Sequence, residues 1–444
     1  MKTKRDNYTF LTTAPVHRVI LTMAIPTIIS MLVTSLYNMV DTYFVGKINT
    51  QCTAAVGVSF SMMAIIQAVG FFCGHGSGNY ISQKLGAKQT EDAAIMAATG
   101  FFYSFSFGIV IAIVSHLFLD DIAVMLGSTP TILPYTRTYL GIVLLGAPFM
   151  TSSFTMNNQM RFQGNALLAM VGIVTGAVLN VFLAPLFIFV FHMGIAGAAT
   201  ATLISQICSF CVLFAMTCSS RNIHILPRNF SFSRQLMKEI VAGGTPSLSR
   251  QGLGSLAVIM LNVAAGAFGD AAIAGMSIVS RSCFFVYSFI IGLGQGFQPL
   301  CGFCYGARLY SRVKEGYMYS VKLGTVFLIV VAVVSFAFAE PIVAEFRDDP
   351  DVILVGTAAL RWQLVTFPLM ATVIVSNMFM QTIRKPIRAN ILAAARSGLF
   401  FIPLVLILPK LWGLLGLEIC QAVADVFAFA ITVPLVWSAF REMR

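Results

Sequence analysis

Charge is what this chain has least of. Only 10% of its 444 residues are Asp, Glu, Lys or Arg, and the acids number 17, against ~25% charged in a soluble domain. Too few ions remain to coat a globule with hydrated surface. A soluble enzyme, a nucleic-acid binder and a disordered protein are therefore excluded. Long polar stretches are scarce as well. The longest, residues 219 to 238, is far too short for a nucleotide-binding domain, and no G-x-x-x-x-G-K-[ST] run occurs, which excludes ATP as the energy source of this chain. A disulfide framework is not there either. The nine cysteines are odd in number, and Cys73, Cys208, Cys211, Cys283, Cys301 and Cys420 lie inside apolar runs, as small core residues do.

What the sequence has is apolar length. Hydrophobic residues make up 58% and mean hydropathy is +0.85. A bilayer core of ~30 Å takes a helix of ~20 apolar residues. Apolar stretches between charges predict twelve spans: 17–45, 53–82, 93–119, 132–157, 164–191 and 194–218, then 237–268, 272–304, 317–339, 352–382, 389–409 and 412–439. Lys2, Lys4 and Arg5 ahead of the run from Val19 to Val40 resemble a signal peptide. The run outlasts an h-region of roughly 7–15 residues, so it reads as a retained first span. Of the 28 Lys and Arg, 19 fall in the tails and alternate loops of one side, against Lys47, Arg347 and Lys410 on the other. That asymmetry places both termini and residues 219–238 in the cytoplasm of a multi-pass protein of the cell (inner) membrane. It also accounts for most of the net charge of +11, so no nucleic acid is needed.

An internal repeat organises the chain. Pro26 and Pro246, Gly74 and Gly294, Gly76 and Gly296, Gly86-Ala87 and Gly306-Ala307, Pro148 and Pro368, Asn157 and Asn377, and Met160 and Met380 are all 220 apart, as in 246 − 26. Gly194 and Gly197 recur as Gly413 and Gly416 at 219. Six spans per repeat is an even number, so both halves enter the membrane with the same orientation. The expected fold is all-α and integral to the membrane: twelve transmembrane helices in two six-helix bundles related by a pseudo-two-fold axis along the membrane normal. The lobes are expected at 1–218 and 237–444, with 219–236 as a cytoplasmic linker. This is the architecture of a rocking-type secondary transporter driven by an ion gradient.

Candidate chemistry is sparse. Gly74-His75-Gly76-Ser77-Gly78 lacks the G-x-S-x-G order, and its glycines recur as Gly294 and Gly296 with Gln295 and Phe297 at the His75 and Ser77 positions, so close helix packing explains it better than hydrolysis. Cys208/Cys211 and Cys301/Cys304 have zinc-ligand spacing but lie mid-span without flanking His or acid, so no metal is expected. Nor is an enzyme. Fourteen of the 17 acids fall in loops, tails or span ends, leaving Asp41, Glu418 and Asp425. Asp41 shares a helix face with Tyr37 and Asn38, at i−4 and i−3, and Pro26 lies about four turns earlier, where it can bend the helix. A carboxylate so placed can take and release a proton near neutral pH. Arg137, Arg250, Arg281, Lys322, Arg361 and Arg396 are cations within spans or near their ends. The 38 Phe and 22 Met suit an adaptable cavity as well as a core.

The run Gly292 to Ala307 (GLGQGFQPLCGFCYGA) resembles the span-eight signature of the multidrug and toxic compound extrusion (MATE) family. Pro26 to Gly46, Ala55-Val56-Gly57, Gly269-Asp270 through Arg281, and Gly194 to Gln206 are similar to that family too, in its bacterial MepA/DinF-like branch. The resemblance implies two six-helix bundles exchanging protons or sodium for organic cations. It also implies an ion-coupling network at Tyr37 and Asp41, Tyr139 and Asn157, Asn180 and Thr202. Family members often carry Asp where this chain has Ala184. A dehydrated sodium ion would then meet one carboxylate and neutral oxygens, whereas a proton needs only Asp41, which favours H+ over Na+. Acids that another branch carries in spans seven and ten are absent between Thr245 and Gly266 and between Arg361 and Thr382. Gln295, Gln298, Met160, Met380, Asn377 and Arg281 are the candidates for the substrate cavity. The expectation is a monomeric antiporter in membrane lipid, without cofactor, exporting amphipathic small-molecule cations in exchange for protons. A sodium-coupled drug antiporter, a lipid-linked precursor flippase of the same superfamily and a membrane-embedded enzyme are the alternatives.

Overall fold

The computed structural model describes residues 7–218, 222–346 and 348–443, the side chains of residues 38–42 and 50 excepted. Twelve long helices occupy the expected places. They are α1 (Val16–Gly46), α2 (Thr50–Gly86), α3 (Thr90–Leu117), α4 (Leu133–Phe162), α5 (Ala166–Val190) and α6 (Gly194–Thr217), followed by α7 (Arg234–Gly266), α8 (Asp270–Gly306), α9 (Tyr310–Ala337), α10 (Pro350–Thr382), α11 (Pro386–Trp412) and α12 (Leu414–Glu442). Eleven of them are long and apolar enough to cross a bilayer. The twelfth, α7, has the length but carries Ser247, Ser249, Arg250 and Gln251 among its glycines. Three of these polar groups are bonded to neighbouring helices: Ser249 to Asn390, Arg250 to Asn377 and Ser247 to Gln381. Partners of this kind are what a polar helix needs in lipid.

Two compact units result. The first lobe holds Met1–Leu11 and Ile25–Gly244, the second Thr12–Ala24 and Thr245–Arg444. Helices α1 and α7 thus each divide between units beside an internal proline, Pro26 and Pro246. A proline removes one rung of the helical ladder and clashes with the preceding turn, which makes these the places where a helix can change course.

Inside each lobe, small residues set the helix spacing. A Cβ on Gly76 would strike the Ile240 carbonyl, one on Gly244 the Phe72 carbonyl, and one on Gly296 the Ala24 backbone. Gly74 faces Asn158, and its repeat mate Gly294 faces Met378, which is Asn158 plus 220. Along α3, Gly100 lies on Ser77 and Gly108 on Pro148; along α9, Gly316 lies on Leu300. Close approach of this kind yields dispersion and hydrogen bonds where lipid offers no hydrophobic drive. The turns repeat as well. Lys88 and Arg308 both adopt φ 60° after Gly86-Ala87 and Gly306-Ala307, and Arg384 takes φ 59° at the place of Gly164. Both lobes contain one π-helical segment, Leu186–Val190 in α5 and Ala395–Phe400 in α11, but these do not fall at matching positions.

Candidate functional site

The site builds up from the inner faces of α2, α4, α5, α6 and the part of α1 from Ile25 onward, all within the first lobe. Gly176 on α5 lies so close to Ser205 and Ser209 of α6 that a Cβ there would crowd both, and a Cβ on Gly146 of α4 would run into Gln206 Oε1. These contacts hold the helices close together beside the site. A cavity lies between these helices. Tyr37, Phe60, Tyr139 and Phe154 give it aromatic walls, and Met63 and Met150 give it flexible, polarisable ones. Thr34, Gln67, Ser153, Ser205, Gln206 and Ser209 supply polar atoms.

Several of those atoms are unspent. Ser153 Oγ, Ser205 Oγ and Gln206 Oε1 are buried without a hydrogen-bond partner among the described residues, and the Gln206 amide reaches only Met150 Sδ, at 3.5 Å. A buried polar group left unpaired costs free energy that a ligand or water can recover. The described lining has aromatic faces and free acceptors but no Lys, Arg or His. Such a surface suits an amphipathic ligand carrying a delocalised positive charge.

The predicted ion-coupling residues are placed as follows. Tyr37 and Tyr139 line the cavity, Tyr139 being buried. Asn180 Nδ2 donates to Thr202 Oγ1 at 3.2 Å, and Asn180 Oδ1 has no partner among the described residues; this buried pair sits one helical turn along α5 and α6 from the cavity residues Gly176 and Ser205. Asn157 is engaged elsewhere, its amide donating to the Ala169 carbonyl at 2.8 Å. Helix α1 passes the cavity with Thr34 and Tyr37 and carries Asp41 one turn further on; the Asp41 side chain lies outside the described residues. Pro26 is inside α1, with the Ser30 hydroxyl bonded to its carbonyl at 2.9 Å.

The predicted substrate residues lie apart from this cavity. Met160, Met380, Gln295 and Gln298 are buried in helix contacts. Asn377 accepts from Arg250 Nη1 at 3.0 Å and donates to the Ala389 carbonyl at 2.8 Å. Arg281 is exposed. Sequence reasoning passed over Gln67, Ser153, Ser205 and Gln206. Gln67, an amide midway along an apolar span, was the available signal. No group of three or more His, Cys, Asp or Glu that could hold a metal occurs among the described residues.

A polytopic helical protein with duplicated lobes and a cavity of unspent acceptors is a transporter rather than an enzyme. The chain belongs to the MatE family, whose sequence profile matches it twice, over residues 26–186 and 246–407; the starts are again 220 apart. It is 26% identical over 440 residues to the multidrug export protein MepA of Staphylococcus haemolyticus (strain JCSC1435), covering 98% of this chain and 96% of that one. Among solved structures it is similar to an outward-facing multidrug resistance MATE family transporter of the MOP superfamily, with a TM-score of 0.92, 25% identity, and 100% and 99% of the two chains covered. It is similar also to a MATE crystal structure in the straight conformation, with a TM-score of 0.93, 25% identity and the same coverage.

Proposed function

We propose that this protein is a secondary active multidrug exporter of the cell inner membrane. It exchanges amphipathic organic cations for protons by alternating access, as a monomer with both termini in the cytoplasm. The observation that carries this reading is the first-lobe cavity: Tyr37 and Tyr139 face it, and the helix that forms one wall brings Asp41 one turn beyond Tyr37. The MepA relatives, named for multidrug export, support the substrate class. Protonation of a single carboxylate beside the cavity would couple the two fluxes, because a proton that favours one conformation shifts the affinity of the other ligand. Ala184 stands where a second acid would help to dehydrate sodium, which favours the proton. The flippase reading calls for a cationic cavity, and the described lining holds no basic residue.

The test is Asp41→Asn in proteoliposomes. The amide keeps the shape and much of the hydrogen-bonding capacity of the neutral acid, so folding should persist while the titratable site is lost. A fluorescent cation accumulated under an imposed pH gradient by the parent should fail to accumulate in the variant, with the melting temperature unchanged. Undiminished accumulation, or accumulation by the parent under a sodium gradient alone, would overturn the proton reading.

A further inference from the structure

The repeat allows one lobe to be read against the other atom by atom. Asn157 bonds the Ala169 carbonyl and Asn377 the Ala389 carbonyl, both at 2.8 Å, so α4 and α5 map onto α10 and α11 with a shift of 220. Helix α6 maps onto α12 with the shift of 219 set by Gly194 and Gly413. A contact confirms the second shift. Gly146 abuts Gln206, and Thr366, which is 146 + 220, donates to Asp425, which is 206 + 219, at 3.3 Å.

Carried around the first-lobe cavity, this register takes Met63 to Cys283, Gln67 to Tyr287, Gly176 to Arg396, Thr202 to Gln421 and Gln206 to Asp425. In the second lobe these side chains meet. Arg396 Nε donates to Asp425 Oδ1 at 3.0 Å, Gln421 Nε2 donates to the same oxygen at 2.8 Å, and the guanidinium carbon lies 4.2 Å from the centre of the Tyr287 ring. The Asp425 side chain is fully buried, whereas that of Arg396 remains 23% exposed. Where the first lobe has a glycine and an empty space, the second lobe has a guanidinium. Arg396 leaves the helix from the π-helical turn Ala395–Phe400, which re-aims side chains relative to a regular α-helix; Gly176 lies in regular α-helix.

A carboxylate and an aromatic face set against a planar cation are what a site for guanidinium-class ligands consists of. We propose that the second lobe retains a cation site equivalent to the first-lobe cavity, and that Arg396 is its built-in ligand. A cation tethered by its own backbone competes at an effective concentration far above that of any dissolved ligand, so this lobe is closed to diffusible cations and only the first lobe loads. Arg396 is thus a specificity-determining residue that acts by occupation. The inference rests on the repeat, on these contacts and on the proposed reading of the first-lobe cavity as a cation site.

The test compares the full-length protein with Arg396→Gly and with Arg396→Gly/Asp425→Gln, which places in the second lobe the glycine and amide of the first. The probe is radiolabelled guanidinium at millimolar concentration and constant ionic strength, measured by equilibrium dialysis and by thermal melting. Arg396→Gly should gain one saturable guanidinium site per chain and recover melting temperature as that site fills. The parent should show neither effect, and the double variant, which lacks the carboxylate, should bind guanidinium more weakly than Arg396→Gly. In the double variant, buried Cys283 should become reactive to a small methanethiosulfonate, as read by mass spectrometry of its peptide, while it stays unreactive in the parent. Absence of the added site in folded Arg396→Gly, or an unreactive Cys283 in the folded double variant, overturns the proposal; the second readout decides it if the single variant does not accumulate.

Discussion

At the scale of single residues, the two asparagines at 157 and 377 define what a repeat preserves. Each makes the same 2.8 Å bond to a carbonyl twelve residues on, closing the turn between consecutive helices of its lobe. A net hydrogen bond of this kind is worth about 1 kcal/mol. Asn157→Ala and Asn377→Ala should therefore each lower stability by about that amount, read as small and parallel drops in melting temperature with transport retained. Loss of ion coupling in Asn157→Ala at an unchanged melting temperature would assign that residue to the coupling network instead. Asp425 shows the other side of residue-scale energetics. Removing one member of a buried ion pair typically costs ~3–5 kcal/mol, whereas replacing both members can be close to neutral, so Asp425→Ala should destabilise far more than a double replacement with Arg396.

At the scale of helices, the determinant is how closely two backbones approach. Gly76 and Gly296 meet carbonyl or Cα atoms of a neighbouring helix that cannot move aside as a flexible side chain would. Overpacking of this sort costs ~1–3 kcal/mol, and Gly76→Ala and Gly296→Ala should reduce both folded yield and melting temperature. Gly252 and Gly254 on α7 have nothing within 4 Å of the added carbon. There, alanine gains helix propensity of up to ~1 kcal/mol, so Gly252→Ala and Gly254→Ala should leave melting unchanged or raise it. Equal losses at all four positions would show that glycine content rather than contact geometry governs these helices.

At the scale of the whole molecule, duplication supplies two lobes of one design and divergence makes them chemically unequal. The first keeps an open cavity with unspent acceptors, and the second closes the corresponding place with its own ion pair. Orientation in the membrane follows from charge rather than from packing. Single cysteines introduced at residues 2, 225 and 440 of a cysteine-free protein should be protected from an impermeant thiol reagent in intact cells, while those at 127 and 348 should react. The reverse pattern would invert the topology and with it the direction of export.

Sequence alone determined the solvent, the number of long helices, most of their ends to within a few residues and the duplication. These depend on composition and spacing along the chain: apolar runs must match the bilayer, and proline and glycine recur wherever a fold is copied. Tyr37 was legible as a polar ring one helical turn from an intramembrane acid, and Tyr139 only through the resemblance to the MATE family. Tertiary structure alone decided which faces meet. Gln67, Ser153 and Gln206 become one cavity only through the rotation of α2, α4 and α6 about their axes, which a helix apolar on nearly all sides does not encode in its pattern. Likewise Arg396 and Asp425 stand 29 residues apart on separate helices and pair across them, Arg396 from within a π-helical turn. Hydropathy fixes where a helix lies along the membrane normal; the fit of small residues against neighbouring backbones fixes its angle around its own axis, and that angle makes the site.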